Sequence, residues 1–297
     1  MKFEIPRHHV NKGVNPKLWD KSSDNREFWT SRVADGKRGI YRGMSTLWFD
    51  VILGVHADPH AEWLETWEAF ASAMQLHHAV LMLYYYPPGE EREFMVNHEV
   101  RSSSTLGPHF ALNASNWTQA LFLAVVCRDH ARVEELCEIP VEVLREAGES
   151  DGAEYNPFTY HWVGALQAFV KGRPQEFGRE LLAAMELSQP DRVEFGDADV
   201  LNQVVFPPMD VLLRLTERDS AAFNESLARA LESYREYQTS DPERKDDKEG
   251  LLPLSLLAIA CWAWDLAASD DEFSFDVVSG YLPKHLLEGS WRGEFAI

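Results

Sequence analysis

Eleven histidines and 48 carboxylates give this 297-residue chain many side chains that could bind a metal or transfer a proton. His56 and His60 lie four residues apart, but Pro59 lies between them and interrupts a helix. His77 and His78 are adjacent, so they face different sides of a helix. The chain contains no H-E-x-x-H, no C-x-x-C and no Cys/His cluster with zinc spacing. The sequence therefore predicts neither a metal site nor a cofactor.

Enzymatic chemistry has little support in the sequence. The chain has no P-loop, and it lacks the alternating strands that an α/β enzyme needs. We therefore expect no nucleophile elbow of the G-x-S-x-G type. Tyr160-His161-Trp162 is the cluster best suited to chemistry, although the sequence shows no partner for it. The alternative is a partly buried His161 hydrogen-bonded to a neighbouring helix, and we expect a protein that is not an enzyme.

Two acidic stretches offer a different kind of chemistry, the recognition of a basic partner. Both lie at or after the second helix of a predicted helical hairpin, where helix ends can line one edge of a stack. Clustered carboxylates on a rigid edge pair with Arg and Lys side chains and give specificity. The alternative is that both stretches are simply solvated. The residues that we expect to contact a partner are Glu134, Glu135, Glu138, Glu142, Glu194, Asp197 and Asp199.

The net charge of −20, from 48 carboxylates against 28 Lys and Arg, bears on the class of partner. Such a surface repels the phosphates of nucleic acids and of anionic lipids, so we expect neither a nucleic-acid nor a membrane partner. It attracts a basic protein and accelerates the encounter. The alternative is that the charge serves only solubility.

Several features favour a cytoplasmic location. The first nine residues contain no apolar core of a secretory signal. The longest apolar run, residues 251–264, is interrupted by Pro253 and Ser255 and is too short to span a bilayer. The three cysteines are odd in number and lie in apolar helical patterns, which is typical of reduced, buried thiols.

The elements that position these residues are almost all helical. The first twenty residues are irregular in pattern, and helices are predicted over 24–34 and 43–55. Asp58 and Pro59 have the types that cap and begin a helix, so a long helix is predicted from residue 59 to about residue 86. Trp63 is assigned to its apolar face. Residues 93–101 break the helical pattern and fit a small β-hairpin.

The second half repeats one plan, in which an apolar helix, a polar turn and a partner helix follow one another. The turns at 128–130, 171–174 and 217–219 lie about 43 and 47 residues apart, close to helical-repeat periods. We therefore predict an all-α fold of stacked αα-hairpins, like a tetratricopeptide or HEAT solenoid, although the tetratricopeptide signature itself is absent. Two parts are expected, residues 1–40 as an irregular segment with a first helix, and 41–297 as a single all-α domain.

Six segments carry a resemblance to a known family. The chain resembles the immunity protein 49 family of bacterial polymorphic-toxin systems, which is abundant in actinomycetes such as Streptomyces. The matching segments are LETWEAF (64–70), LAVVCR (123–128), YHWV (160–163), FNESL (223–227), GLLPL (250–254) and YLPKHLL (281–287), with Trp291 and GEF (293–295) after them.

The resemblance covers roughly residues 45–297 and implies an all-α protein that binds and neutralises a cognate toxin inside the producing cell. It brings no catalytic residue with it. From the acidic charge we expect a basic toxin, such as a nuclease, as the partner. The alternative is a tetratricopeptide-like adaptor or regulator that holds a peptide or partner helix in a concave groove.

Overall fold

A computed structural model describes residues 2–294 of the chain. It is 63% helical and 6% strand, with two small two-stranded sheets in the described part, which confirms the predicted all-α class. Phe295, the last residue of the resembling segment at the C-terminus, lies outside the described residues.

Two compact units make up the described chain. The C-terminal unit consists of residues 2–13, which include strand β1 (Phe3–Ile5), and residues 155–290. The N-terminal unit consists of residues 14–154 and 291–294. Each unit is described by itself, and the domain division expected at residue 40 stays a prediction.

The N-terminal unit is built from helices around a single buried one. Its elements are α1 (Leu18–Ser31), two 3-10 turns (Arg32–Asp35 and Arg38–Tyr41), α2 (Arg42–Ala57), α3 (Leu64–Tyr85), β2 (Glu91–Val96), β3 (Glu99–Ser104), α4 (Ala114–Val126), α5 (His130–Cys137) and α6 (Val141–Gly148). Helix α3 is buried almost all round between α1, α2 and α4, as expected for a helix that is apolar on every face.

The predicted start of this long helix was wrong. The Asp58 carboxylate accepts hydrogen bonds from the Trp63 amide at 2.9 Å and from the Thr66 hydroxyl at 2.8 Å. It therefore closes a turn, with Ala61 in the left-handed region, and α3 begins only at Leu64. Trp63, assigned to the buried face, is 47% exposed.

The predicted β-hairpin is confirmed. Strands β2 and β3 pair in antiparallel register around Asn97 and His98, which both have positive φ. This conformation is that of a tight two-residue hairpin turn, for which Asn is well suited. The backbone amide of Asn97 also donates to the side-chain oxygen of Gln75 on α3 at 2.8 Å, so the hairpin tip is held against the core helix.

The C-terminal unit contains the remaining helices of the described chain. Its elements after β1 are α7 (Phe158–Val170), α8 (Pro174–Leu187), α9 (Ala198–Val200), a π-turn (Leu201–Val205), α10 (Phe206–Glu217), α11 (Ser220–Thr239), α12 (Pro242–Lys245), a 3-10 turn (Lys248–Leu251), α13 (Leu254–Ser269), β4 (Val277–Ser279) and α14 (Lys284–Leu287). Pro207 and Pro208 occupy the first turn of α10, where proline is tolerated.

The three helical hairpins occur where the sequence placed them. Helices α4 and α5, α7 and α8, and α10 and α11 pack against one another in pairs, and in the C-terminal unit α8 also packs against α10. Two of the turns contain an arginine in the left-handed region, Arg128 and Arg218. Helix α6 was not predicted, and it makes the first repeat longer than a simple hairpin.

Strand β1 was missed, because the first twenty residues have no regular pattern. It pairs in parallel with β4, about 270 residues later in the chain. His8 Nδ1 lies 2.7 Å from the Tyr281 hydroxyl and joins the same two segments. Tyr281, Leu282, Leu286 and Leu287 are buried, so the segment that includes α14 packs on the C-terminal unit.

One segment of the described chain, Lys248–Ser269, is long and apolar enough to cross a membrane by composition alone. Of its most apolar stretch, 61% is buried inside the protein, and α13 packs against α10, α11 and α14. This placement is that of a core helix in a globular unit.

Candidate partner-binding surfaces

The first predicted acidic stretch lies on α5 and α6 of the N-terminal unit. Glu134, Glu138 and Glu142 are exposed, and we call these three residues the helical acidic face. Glu138 follows the last residue of α5 in helical conformation, four positions after Glu134, so both lie on one side of the helix. Glu142 lies in the first turn of α6, where a carboxylate complements the helix dipole.

The protein itself uses the carboxylate of Glu135, which is only half-exposed. His78 Nε2 of α3 lies 2.8 Å from one oxygen, and the Tyr86 hydroxyl donates to the other at 3.4 Å. These hydrogen bonds, led by the one from His78, lower the pKa of Glu135 below its usual value. The residue ties α5 to α3, which makes it a poorer candidate for partner contact than the helical acidic face.

The second predicted stretch forms a loop between α8 and α10 in the C-terminal unit. Glu194, Asp197 and Asp199 are all exposed there, and with Phe195 we call them the acidic loop. Asp197 caps α9 by accepting from the Val200 amide at 2.8 Å. The structure thus places these three carboxylates in one segment, and the helical acidic face belongs to the other unit.

A buried amide fixes the acidic loop. Asn156 accepts from the backbone amides of Glu194 and Phe195 at 2.9 and 3.1 Å and donates to the Phe195 carbonyl at 2.7 Å. The loop backbone is therefore held while its side chains remain in solvent. Phe195 is 44% exposed between the carboxylates, and an aromatic ring with a charged rim is typical of an interface anchor.

Sequence reasoning missed both Asn156 and Phe195. Asn156 lies 38 residues before the loop that it holds, so no local pattern connects them. The Phe-Gly pair at 195–196, inside a run of carboxylates, was the available signal for Phe195.

His161 has the structural role proposed as its alternative. Its Nδ1 lies 2.7 Å from Glu180 on α8, so the pair joins the two helices of one hairpin. Arg179 donates to the other oxygen of Glu180. Despite the burial of Glu180, which acts in the opposite direction, these bonds lower the pKa of its carboxyl.

A G-x-S-x-G sequence does occur, contrary to the expectation, at residues 148–152. It follows the end of α6, where a nucleophile elbow requires a strand leading into a helix. The Ser150 hydroxyl donates to the Ala147 carbonyl at 2.6 Å, as in an ordinary helix end. Within residues 2–294, no group of three His, Cys, Asp or Glu side chains is placed to hold a metal ion.

Comparison with known proteins identifies the family. The family model of Immunity protein 49 matches residues 58–286, about three-quarters of the chain. The chain belongs to the Immunity protein 49 family. The comparisons with curated proteins and with solved structures each found no match.

Both acidic surfaces of this Immunity protein 49 member lie inside the matched region. The resemblance seen in the sequence is therefore confirmed for the five segments between residues 58 and 286 that it rested on, and for most of the sixth. Helices α1 and α2 both precede the match.

Proposed function

We propose that this protein binds a cognate toxin in the cytoplasm of the producing cell and neutralises it by direct contact. Membership of the Immunity protein 49 family is the observation that carries the proposal. The three cysteines are buried thiols, which fits a reducing compartment. The protein acts on this account as a binding partner and catalyses no reaction.

The acidic loop and the helical acidic face support a basic toxin. With a net charge of −20, the protein attracts a positively charged domain at long range and accelerates the encounter. Fixed carboxylates around Phe195 then give a site where Arg and Lys side chains can pair at close range. Each carboxylate in these two surfaces is exposed, so pairing requires little desolvation before contact.

The alternative, an adaptor function, requires a groove that holds a peptide or a partner helix. The groove between α10 and α11, about 320 Å³ in volume, includes Arg229 and Asp210 in its lining. Its carboxylate, Asp210, already accepts a hydrogen bond from Ser226 at 2.5 Å and lies 3.5 Å from Arg214. This groove gives no specific support to peptide binding.

The test expresses a toxin domain from a gene next to this one in a sensitive host, with and without the protein. The loop variant E194Q/D197N/D199N removes three charges but keeps the cap of α9, because Asn also caps helices. A second variant, E134Q/E138Q/E142Q, removes the three charges of the helical acidic face. The control E225Q/E232Q/E236Q removes three exposed carboxylates of α11.

We expect the wild type and the control to protect the host, and at least one of the two test variants to lose protection at least ten-fold. Melting temperatures of all variants check that folding is unchanged. If both test variants protect as well as the control, these surfaces do not bind the toxin. If the wild type gives no protection, the immunity function itself is wrong.

A further inference from the structure

A groove with an excess of positive charge lies at the C-terminal end of α1. Its residues precede the region that the family model matches. It occupies about 190 Å³ in the N-terminal unit, between α1 and the two 3-10 turns that follow. Phe28 and Trp29 line one side, and the buried Ile40 also contributes to the lining. Neither acidic surface includes any residue of this groove.

The charge of this region is inverted relative to the rest of the protein. Residues 32–42 contain four of the 28 Lys and Arg but only one of the 48 carboxylates. Arg32, Lys37 and Arg42 line the groove with the single carboxylate Asp35. Asp35 lies 3.5 Å from Arg32 and 3.6 Å from Lys37, and among the described residues no carboxylate forms an ion pair with Arg42. The groove therefore has an excess of positive charge.

The aromatic side of the groove is fixed in place. The Arg32 guanidinium lies 4.0 Å from the centre of the Phe28 ring, and Trp29 stands perpendicular to that ring at 5.2 Å. Trp29 in turn packs closely against the backbone of Gly43 on α2. Phe28 nevertheless remains 48% exposed. Aromatic rings and arginine are both enriched at protein interfaces, and arginine is among the residues that contribute most to binding energy.

We propose that this groove docks an acidic segment of the cognate toxin, one that carries carboxylates around an apolar side chain. The inference rests on the proposed function. It adds a second contact with the toxin, in which this protein supplies the positive charge and the toxin the negative charge. A basic region of the toxin on the acidic surfaces and an acidic segment in this groove together fix one orientation of the complex. A nucleic acid is the poorer occupant, because the remaining surface repels phosphates.

Gly39 provides a way to block the groove without changing its charge. It lies on the groove, its φ is not in the left-handed region, and a Cβ added there meets no atom within 4 Å. Gly39→Ala should therefore leave the groove open, whereas Gly39→Phe places a ring in it. A second variant, R32Q/K37Q/R42Q, removes the three cations. Its matched control, K2Q/K12Q/K284Q, removes three exposed lysines of the other unit.

The first measurement uses fluorescence anisotropy with the fluorescein-labelled peptide GEEFEE and two analogues, GQQFQQ, which lacks the charges, and GEEAEE, which lacks the ring. We expect the wild type, Gly39→Ala and the lysine control to bind GEEFEE at least ten-fold more tightly than either analogue. Gly39→Phe and R32Q/K37Q/R42Q should each weaken GEEFEE binding at least ten-fold. Equal binding of the three peptides, no effect of Gly39→Phe, or tighter binding of a labelled DNA 20-mer would overturn the proposal.

The second measurement compares the affinity of wild type and Gly39→Phe for the purified toxin domain. We expect a loss of at least ten-fold with Gly39→Phe and none with Gly39→Ala. If the wild type binds the toxin domain and Gly39→Phe binds it with the same affinity, only the groove proposal is wrong. If the wild type does not bind the toxin domain at all, the proposed function is wrong, so the two failures are distinguishable.

Discussion

Two buried ionisable side chains in the N-terminal unit have opposite effects on stability as the pH changes. Asp50 of α2 is 4% exposed, accepts hydrogen bonds from Asn25 at 3.0 and 3.2 Å, and has a pKa raised by burial to about 6. His77 of α3 is fully buried, with Nδ1 2.7 Å from the Ala73 carbonyl, and burial lowers its pKa to about 4. As the pH falls, the raised pKa of Asp50 therefore increases the free energy of unfolding, whereas the lowered pKa of His77 decreases it.

Asp50→Asn should stabilise the protein at pH 7.5 by about 1–3 kcal/mol, because the folded state then no longer holds a buried charge. The Asp50 pKa is raised from 3.8 to about 6, so the native state binds the proton that the unfolded chain has released. The gain should shrink as pH falls through 6 and vanish near pH 4. Urea unfolding across this range measures it, with the exposed Asp271→Asn as control. A gain that does not change with pH would contradict the burial argument.

His77→Gln should show the opposite pH dependence. The wild type loses up to about 3 kcal/mol between pH 6.5 and pH 4, because the unfolded chain takes up a proton that His77 resists in the fold. The variant lacks this loss, so its stability relative to wild type should rise as pH falls. The same urea titrations measure the difference, and a constant offset between the two proteins would exclude His77 as the source.

Single residues were predicted with uneven success, for a physical reason. The structural role of His161 was foreseen, because an aromatic helix stripe beside a second helix provides partners for a histidine. The use of Glu135 by His78 was not foreseen, since it depends on how α5 lies against α3. For the same reason Asn156 was overlooked, as its partners come from a distant loop.

At the scale of elements, close helix packing in the N-terminal unit depends on one glycine. A Cβ added at Gly43 of α2 would lie 2.8 Å from Leu76 of α3 and from Trp29 of α1. Gly43→Ala should therefore overpack the contact between three helices and cost about 1–3 kcal/mol. Thermal and urea unfolding measure the loss. Gly39→Ala, where the new methyl group meets nothing, should be close to neutral, and equal effects at both sites would contradict the packing account.

Strand β1 should stabilise the C-terminal unit despite its distance in sequence. Ile5 is 2% exposed at the pairing of β1 with β4, so Ile5→Ala should cost about 2–4 kcal/mol. The exposed neighbour Glu4→Ala should cost less than about 0.5 kcal/mol. Hydrogen exchange should localise the loss to residues around β4. Unchanged protection there would show that β1 contributes nothing to this unit.

Elements with local signals were predicted better than those with distant partners. The three hairpin turns and the β-hairpin follow from short-range patterns of apolar and turn residues. Strand β1 has only three residues and forms because β4 is available as a partner, which no local pattern shows. The start of α3 was misplaced because Asp58 uses its carboxylate to close a turn several residues before the helix.

The whole molecule combines a helical scaffold with two acidic surfaces and one groove that has an excess of positive charge. Its class and its family were predictable from the sequence, and both are confirmed. The role of the acidic surfaces stays a prediction, since their use depends on a partner. A net charge of −20 requires that association with a basic toxin slow down as salt rises, because screening removes the long-range attraction.

The central claim is that protection comes from stoichiometric binding and not from turnover. Titrating a fixed amount of the purified toxin domain with this protein, and measuring residual toxin activity at each point, tests it most directly. We predict that activity falls linearly to zero at a fixed molar ratio, and that it returns when the toxin is separated under denaturing conditions and refolded. Complete loss of toxin activity at a small fraction of that ratio, or no loss at large excess, would contradict the account.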